Sequence, residues 1–97
     1  MKDNLTVGVA GLGLIGGSVA LALKSRSERY RIVAWDRKRE VLDRAVLDKA
    51  VDVAVYPDFA KFSSCDIVFL CVPVFAMEDV LERLVPHLSD ECLITDV

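Results

Sequence analysis

A doubly wound α/β fold, a parallel sheet with helices on both faces, is predicted by three features of the sequence. An apolar run at Leu5–Ala10 passes straight into Gly11-x-Gly13-x-x-Gly16 and then into a helical pattern. Four further runs of strand character follow, each separated from the last by a helical segment, and strands joined only through helices form a parallel sheet with right-handed crossovers. One of these runs, residues 65–72, is apolar apart from Asp66, which suits a central strand covered on both faces. The expected strand order is 3-2-1-4-5, with a crevice between strands one and four at their carboxyl ends.

The elements follow in order. Leu5–Ala10 is the first strand and residues 14–26 the first helix, with Val19, Ala22 and Leu23 as its core face and Gly16, Gly17 and Ala20 small enough for close contact with the sheet. Residues 31–35 form the second strand, ending at Asp36. Across residues 37–50 the stripe Val41, Leu42, Ala45 and Val46 marks a helix lying on a sheet. Residues 52–56 are a short β-branched run, expected as an edge strand, after which Pro57 suits the first position of a helical turn that turns Phe59 and Phe62 inward. Pro73 stops the fourth strand. Met77, Val80, Leu81, Leu84 and Leu88 then recur at helical spacing, and residues 92–97, CLITDV, are a last strand. A complete two-half fold of this kind carries six strands, so the chain is expected to stop before the second half is complete, as a fragment of a longer enzyme.

The 97 residues carry 12 Lys and Arg against 15 Asp and Glu, a formal charge of −3 that gives no reason to expect a nucleic-acid partner. No charge occurs between Asp3 and Lys24, and Gly13 and Gly17 have the spacing of packed membrane helices. All five glycines of the chain nevertheless fall within Gly8 to Gly17. Each costs a helix about 1 kcal/mol relative to alanine, so the stretch reads as a turn rather than as a membrane span or a signal peptide. Cys65, Cys71 and Cys92 are odd in number and sit in or beside apolar runs, as reduced thiols do. A cytoplasmic location is expected and no metal site. His87, the one histidine, follows Pro86 at the end of a helical pattern without a nucleophile or ligand cluster.

The chemistry lies in the glycine turn. Gly11 lets the chain leave the strand tightly, Gly13 lets the backbone approach a pyrophosphate, and Gly16 lets the helix lie close on the sheet. That helix aims unpaired N–H groups and partial positive charge at the phosphates. Asp36, twenty residues after Gly16, stands where a carboxylate accepts hydrogen bonds from an adenosine ribose, and it is also a suitable N-cap for the next helix. Arg37, Lys38 and Arg39 put positive charge on the first turn of that helix, where cations are disfavoured. They would suit a 2′-phosphate, or Arg37 would flank the adenine with the others solvated. Asp36 favours NAD over NADP, because a carboxylate there repels a 2′-phosphate. Val72 and Pro73 edge the crevice opposite the turn. The expected cofactor contacts are Gly11, Leu12, Gly13, Leu14, Ile15, Gly16, Asp36, Arg37, Val72 and Pro73.

GLGLIGGS, a strand ending in Asp36, CDIVFLCVPV and LITDV together resemble the N-terminal nucleotide-binding domain of the prephenate and arogenate dehydrogenases of tyrosine biosynthesis, a Rossmann-like domain, over essentially the whole chain. The resemblance implies an NAD-dependent oxidative decarboxylation of prephenate to 4-hydroxyphenylpyruvate, or of arogenate, by a homodimeric parent without nucleic-acid or membrane partners. It also implies a histidine on the substrate hydroxyl and arginines on its carboxylates. All of these would lie beyond Val97, so no catalytic residue is expected within this chain. A stand-alone nucleotide-sensing module, a 3-hydroxyacid dehydrogenase or pyrroline-carboxylate reductase relative, and a methyltransferase are the alternative readings, the last disfavoured by the full glycine spacing.

Overall fold

A computed structural model describes residues 4–26 and 29–96, with the side chains of Leu14 and Ile15 outside the described set. Parallel strands β1 (Leu5–Ala10), β2 (Tyr30–Trp35), β3 (Val53–Ala54), β4 (Ile67–Leu70) and β5 (Leu93–Asp96) pair in the order β3-β2-β1-β4-β5, as predicted. Helices α1 (Gly13–Arg26) and α2 (Arg39–Leu47) cover one face. Helix α3 (Val74–Leu84) covers the other, together with short 3₁₀ turns at Ala60–Ser64 and Val85–His87.

Strand alternation decides which side chains meet which helices. Val7 and Val9 of β1 and Ile32 and Ala34 of β2 face Ala20 of α1 and Leu42 of α2. Ala10, Val33, Val68 and Leu70 face Phe59, Phe62, Val80 and Leu84 on the other side. Gly8 belongs to this second face, where a Cβ would come within 2.9 Å of both the Cys65 sulfur and the Phe62 ring. Phe62 thus packs against the bare backbone of β1.

Several boundaries differ from the sequence reading, each for a local reason. Ala22 of α1 is exposed, because the buried positions Gly16 and Ala20, with Leu23 packed beside them, lie one turn apart on another side of the helix. Val46 of α2 is likewise exposed, whereas Leu42 is buried. Helix α2 begins at Arg39 rather than Arg37, since the Asp36 carboxylate accepts the Lys38 amide (2.8 Å) and turns the chain first. Pro57 does not open a helix. The 3₁₀ turn starts at Ala60, whose amide is taken by the Asp58 carboxylate at 2.9 Å. Cys92 precedes β5, its amide bonded to the Ser89 carbonyl, and Val97 lies outside the described residues.

Two aspartates fasten the amino ends of strands. Asp52 donates its amide to the Ile32 carbonyl (2.9 Å) and accepts the Ile32 amide on its carboxylate (2.8 Å). Asp66 makes the same reciprocal pair with Thr6, at 2.8 Å each way. Asp52 also holds Lys24 of α1 at 2.8 Å. Burial works to raise the Asp52 carboxyl pKa, but the Ile32 amide, the hydrogen bond and charge of Lys24, and the charge of Arg31 outweigh it and leave it below its usual 3.8. A carboxyl depressed in the folded state contributes stability that is present above its unfolded value and lost as pH falls through its folded one. Asp52→Asn is therefore expected to flatten the acid limb of the stability curve below about pH 4. Urea midpoints measured against pH check this, and a limb as steep as that of the unmodified chain contradicts it.

Strand β5 is an outer strand with Leu93 66% and Ile94 39% exposed and neither proline nor lysine along it. Unprotected edges of this kind pair with other chains. Self-association is the expected result of sedimentation at micromolar concentration, and a single monomeric species contradicts it.

Candidate functional site

A cavity of about 280 Å³ opens at the carboxyl ends of β1, β2 and β4, at the switch point where the chain crosses from one side of the sheet to the other. Its wall joins segments far apart in sequence: Gly11 and Gly13 from the turn, Asp36 and Arg37 after β2, and Val72 and Pro73 after β4. Open α/β sheets bind ligands at this position.

The turn is built by its glycines in different ways. Gly11 has φ +93°, and a Cβ there would lie 2.7 Å from Val72 Cγ1 and 2.9 Å from the Cys71 carbonyl oxygen. Gly13, at φ +36°, has nothing within 4 Å of its missing Cβ, so it faces open space. Gly16 is buried, and a methyl group on it would collide with the Gly11 carbonyl oxygen. The turn is further fixed by hydrogen bonds from Gly11 to the Trp35 carbonyl and from Gly17 to the Leu12 carbonyl, both 2.7 Å. Helix α1 starts at Gly13 and has no acidic side chain in its first turn to neutralise its positive end.

Asp36 ties this turn to β2. One carboxylate oxygen accepts the Leu12 amide at 2.8 Å and the other accepts the Lys38 amide at 2.8 Å. Of the residues expected at the site, Gly11, Gly13, Asp36, Arg37, Val72 and Pro73 line the cavity. Leu12 and Gly16 stand behind it: the Leu12 side chain is 2% exposed in the core under α1 and α2, and Gly16 supplies the close contact of helix with turn. The side chains of Leu14 and Ile15 lie outside the described residues.

The wall also includes Lys38, which the sequence marks as part of the cationic run after Asp36, and residues that the sequence does not single out for the site, namely Trp35, Val41, Cys71, Ala76 and Val80. Trp35 could have been found from its place just before Asp36 at the end of a strand. Val80 belongs to the stripe of α3 that the sequence assigns only to the core, and Ala76 lies one turn before it, outside that stripe. Trp35 stacks edge-on to Phe59 (5.0 Å), and the Arg83 guanidinium sits 4.5 Å from the Phe59 ring centre and 5.3 Å from that of Trp35. This packing anchors the indole.

The wall's chemistry is that of a binding site. Among the described residues its charged groups are Asp36, Arg37 and Lys38, and its thiol, that of Cys71, has its pKa pushed up by burial. Cys65, deeper in the core, is pushed up to about 12, chiefly by burial. His87 lies in the turn after α3 and does not line the cavity. Among the described residues, no group of three or more His, Cys, Asp or Glu side chains is gathered where a metal ion could sit. No helix among them is long and apolar enough to cross a membrane.

Residues 19–97 match the family described as prephenate dehydrogenase, nucleotide-binding domain. The chain belongs to this family. It is 36% identical over 98 residues to a prephenate dehydrogenase of Bacillus subtilis, a match spanning the whole chain and 26% of that relative. The crystal structure of a Synechocystis arogenate dehydrogenase superposes with a TM-score of 0.88 at 36% identity, covering 96% of this chain and 32% of the other. A prephenate dehydrogenase from A. aeolicus, solved in complex with hydroxyphenyl propionate and NAD+, superposes with a TM-score of 0.87 at 27% identity, covering 98% of this chain and 34% of the other. The chain thus spans about a third or less of the length of these relatives.

Proposed function

We propose that this chain is the NAD-binding domain of a prephenate dehydrogenase-like oxidoreductase. The observation that carries the reading is the convergence of Gly11, Gly13, Asp36, Arg37, Val72 and Pro73 on one cavity at the switch point of the sheet. The residues fit the cofactor. Open space at Gly13 leaves room for a pyrophosphate against the backbone, and the unneutralised start of α1 favours its charge. Asp36 keeps free lone pairs beside its two amide contacts for ribose hydroxyls. The apolar side chains of Val41, Val72, Ala76 and Val80 offer a slot for the adenine.

Bound NAD supplies the hydride acceptor: the substrate carbon bearing the ring hydroxyl gives up hydride, the ring carboxylate leaves as carbon dioxide, and its bonding electrons complete the aromatic ring. This chain's part is to bind and orient the dinucleotide, because the ionisable side chains on the cavity wall are, among the described residues, Asp36, Arg37, Lys38 and the Cys71 thiol. The groups that handle the substrate, and a homodimer contact, belong to a longer parent enzyme, with prephenate or arogenate as substrate. NADH absorbance tests the division of labour. The 97-residue chain is expected to show no turnover of prephenate or arogenate, whereas a longer protein carrying it turns over at least one of them. Turnover by the isolated chain that His87→Ala abolishes would mean that the active site lies elsewhere.

A further inference from the structure

A second cavity, of about 310 Å³, opens at the opposite end of the sheet, at the amino ends of β1 and β2. Its wall draws Thr6 from β1, Arg31 from β2, Lys24 from the last turn of α1, Arg29 from the turn before β2, and Asp52 from just before β3. Three cations stand against one carboxylate. Among the described residues, the charged side chains of this wall therefore sum to two net positive charges.

The carboxylate is already engaged. One Asp52 oxygen accepts both the Ile32 amide and the Lys24 ammonium, each at 2.8 Å. Lys24 also donates to the Tyr30 carbonyl at 3.0 Å, which fixes an ammonium whose side chain is only 21% exposed and leaves one of its three N–H donors unused. Arg31 is exposed and makes no side-chain hydrogen bond or ion pair among the described residues, so its five N–H donors are all available. Lys24 and Arg26 in the last turn of α1 offset the partial negative charge of that helix end, which would otherwise repel an anion. Lys24 thus neutralises Asp52, and the charge of Arg31 is left over.

We infer that this cavity is an anion site, in which the Arg31 guanidinium and the remaining Lys24 donor seat a small dianion bearing a phosphate group or two carboxylates. A guanidinium fork matches paired oxygens of either kind. The site is independent of the dinucleotide reading, because the 14 residues of α1, about 20 Å of helix, separate Lys24 from the glycine turn.

Amide NMR shifts of the 97-residue chain, titrated with phosphate and separately with malonate at constant ionic strength, test it. The expected result is a saturable shift at the Thr6, Arg31 and Asp52 amides that persists with NAD+ present. Tighter binding of phosphate assigns the site to phosphate esters, and tighter binding of malonate assigns it to dicarboxylates. Arg31→Gln should weaken binding about tenfold without lowering the melting temperature, and Arg31→Lys should restore part of the loss. Shifts that chloride reproduces at equal concentration show an adventitious ion only and overturn the proposal. A response confined to Gly11 to Gly16, or one that Arg31→Gln leaves intact, overturns it as well. Dianion binding here by a chain that fails to bind NAD+ removes the dinucleotide reading and keeps this site, whereas NAD+ binding with no response at Thr6 and Arg31 does the reverse.

Discussion

Gly16→Ala is expected to lower stability by about 3 kcal/mol and to weaken NAD binding on the order of a hundredfold. The added methyl meets the Gly11 carbonyl oxygen, a backbone atom in a turn already held by hydrogen bonds from Gly11 to Trp35 and from Gly17 to Leu12. Neither partner is the loose end of a flexible side chain. The start of α1 must therefore move off the turn, and the pyrophosphate seat moves with it. Gly17→Ala is the internal control. Its nearest atom, the Leu12 carbonyl oxygen, is 3.9 Å from the built Cβ, an ordinary contact. The improved helix propensity should leave stability unchanged or raised by up to about 1 kcal/mol. Denaturant melts of the two variants side by side measure the contrast, and equal effects would mean that the helix and turn are not packed as described.

Asp36→Ala is the second large effect. It strands the Leu12 and Lys38 amides, and loss of a charged acceptor for a partly buried donor costs about 2 kcal/mol. It also removes the proposed acceptor of the ribose hydroxyls, so NAD affinity should fall by about tenfold or more. Asp36→Ser relieves the repulsion of a 2′-phosphate and should narrow or reverse the preference for NAD over NADP. Thermal melts and paired titrations separate the two roles. A variant that melts like the parent would show that the carboxylate does not tie the turn to β2, and an unchanged cofactor ratio would show that it does not read the ribose.

The sheet was legible because its signals are local and redundant. The apolar run into the glycine turn, the run at residues 65–72 and the intervening helical stripes each report one element, and helical connections between strands imply parallel pairing. The order β3-β2-β1-β4-β5 then follows. Side chains that bond to backbone were much less legible. Asp36, Asp52, Asp58 and Asp66 each accept an amide from a neighbouring segment or turn, and these bonds move element boundaries by one to three residues without changing the apolar pattern. Pro57 was misleading for the same reason: its pattern suits a helix start, but the Asp58 carboxylate organises the chain until Ala60.

The site was half legible. Glycine spacing and the acid after β2 mark the phosphate and ribose ends of a dinucleotide site on chemical grounds. The apolar wall is contributed by Trp35, Val41, Ala76 and Val80, whose periodicity is that of ordinary core residues. Only the fold reveals that they surface at the crevice. Arg39 could not be told from Arg37 and Lys38 in the sequence, because its partner Tyr56 is seventeen residues away, in the loop after β3.

The functional reading stands on NAD binding at the cavity between the glycine turn and β4. Calorimetric titration of the 97-residue chain with NAD+, repeated with Gly13→Val, tests it most directly. A Cβ at Gly13 meets nothing within 4 Å among the described residues, so valine there projects into the open space, with strain from the left-handed φ of +36°. The expected result is one saturable NAD+ site per chain that the substitution abolishes while a cooperative melt is retained. No binding by the unmodified chain, or full binding by a folded Gly13→Val variant, would contradict it.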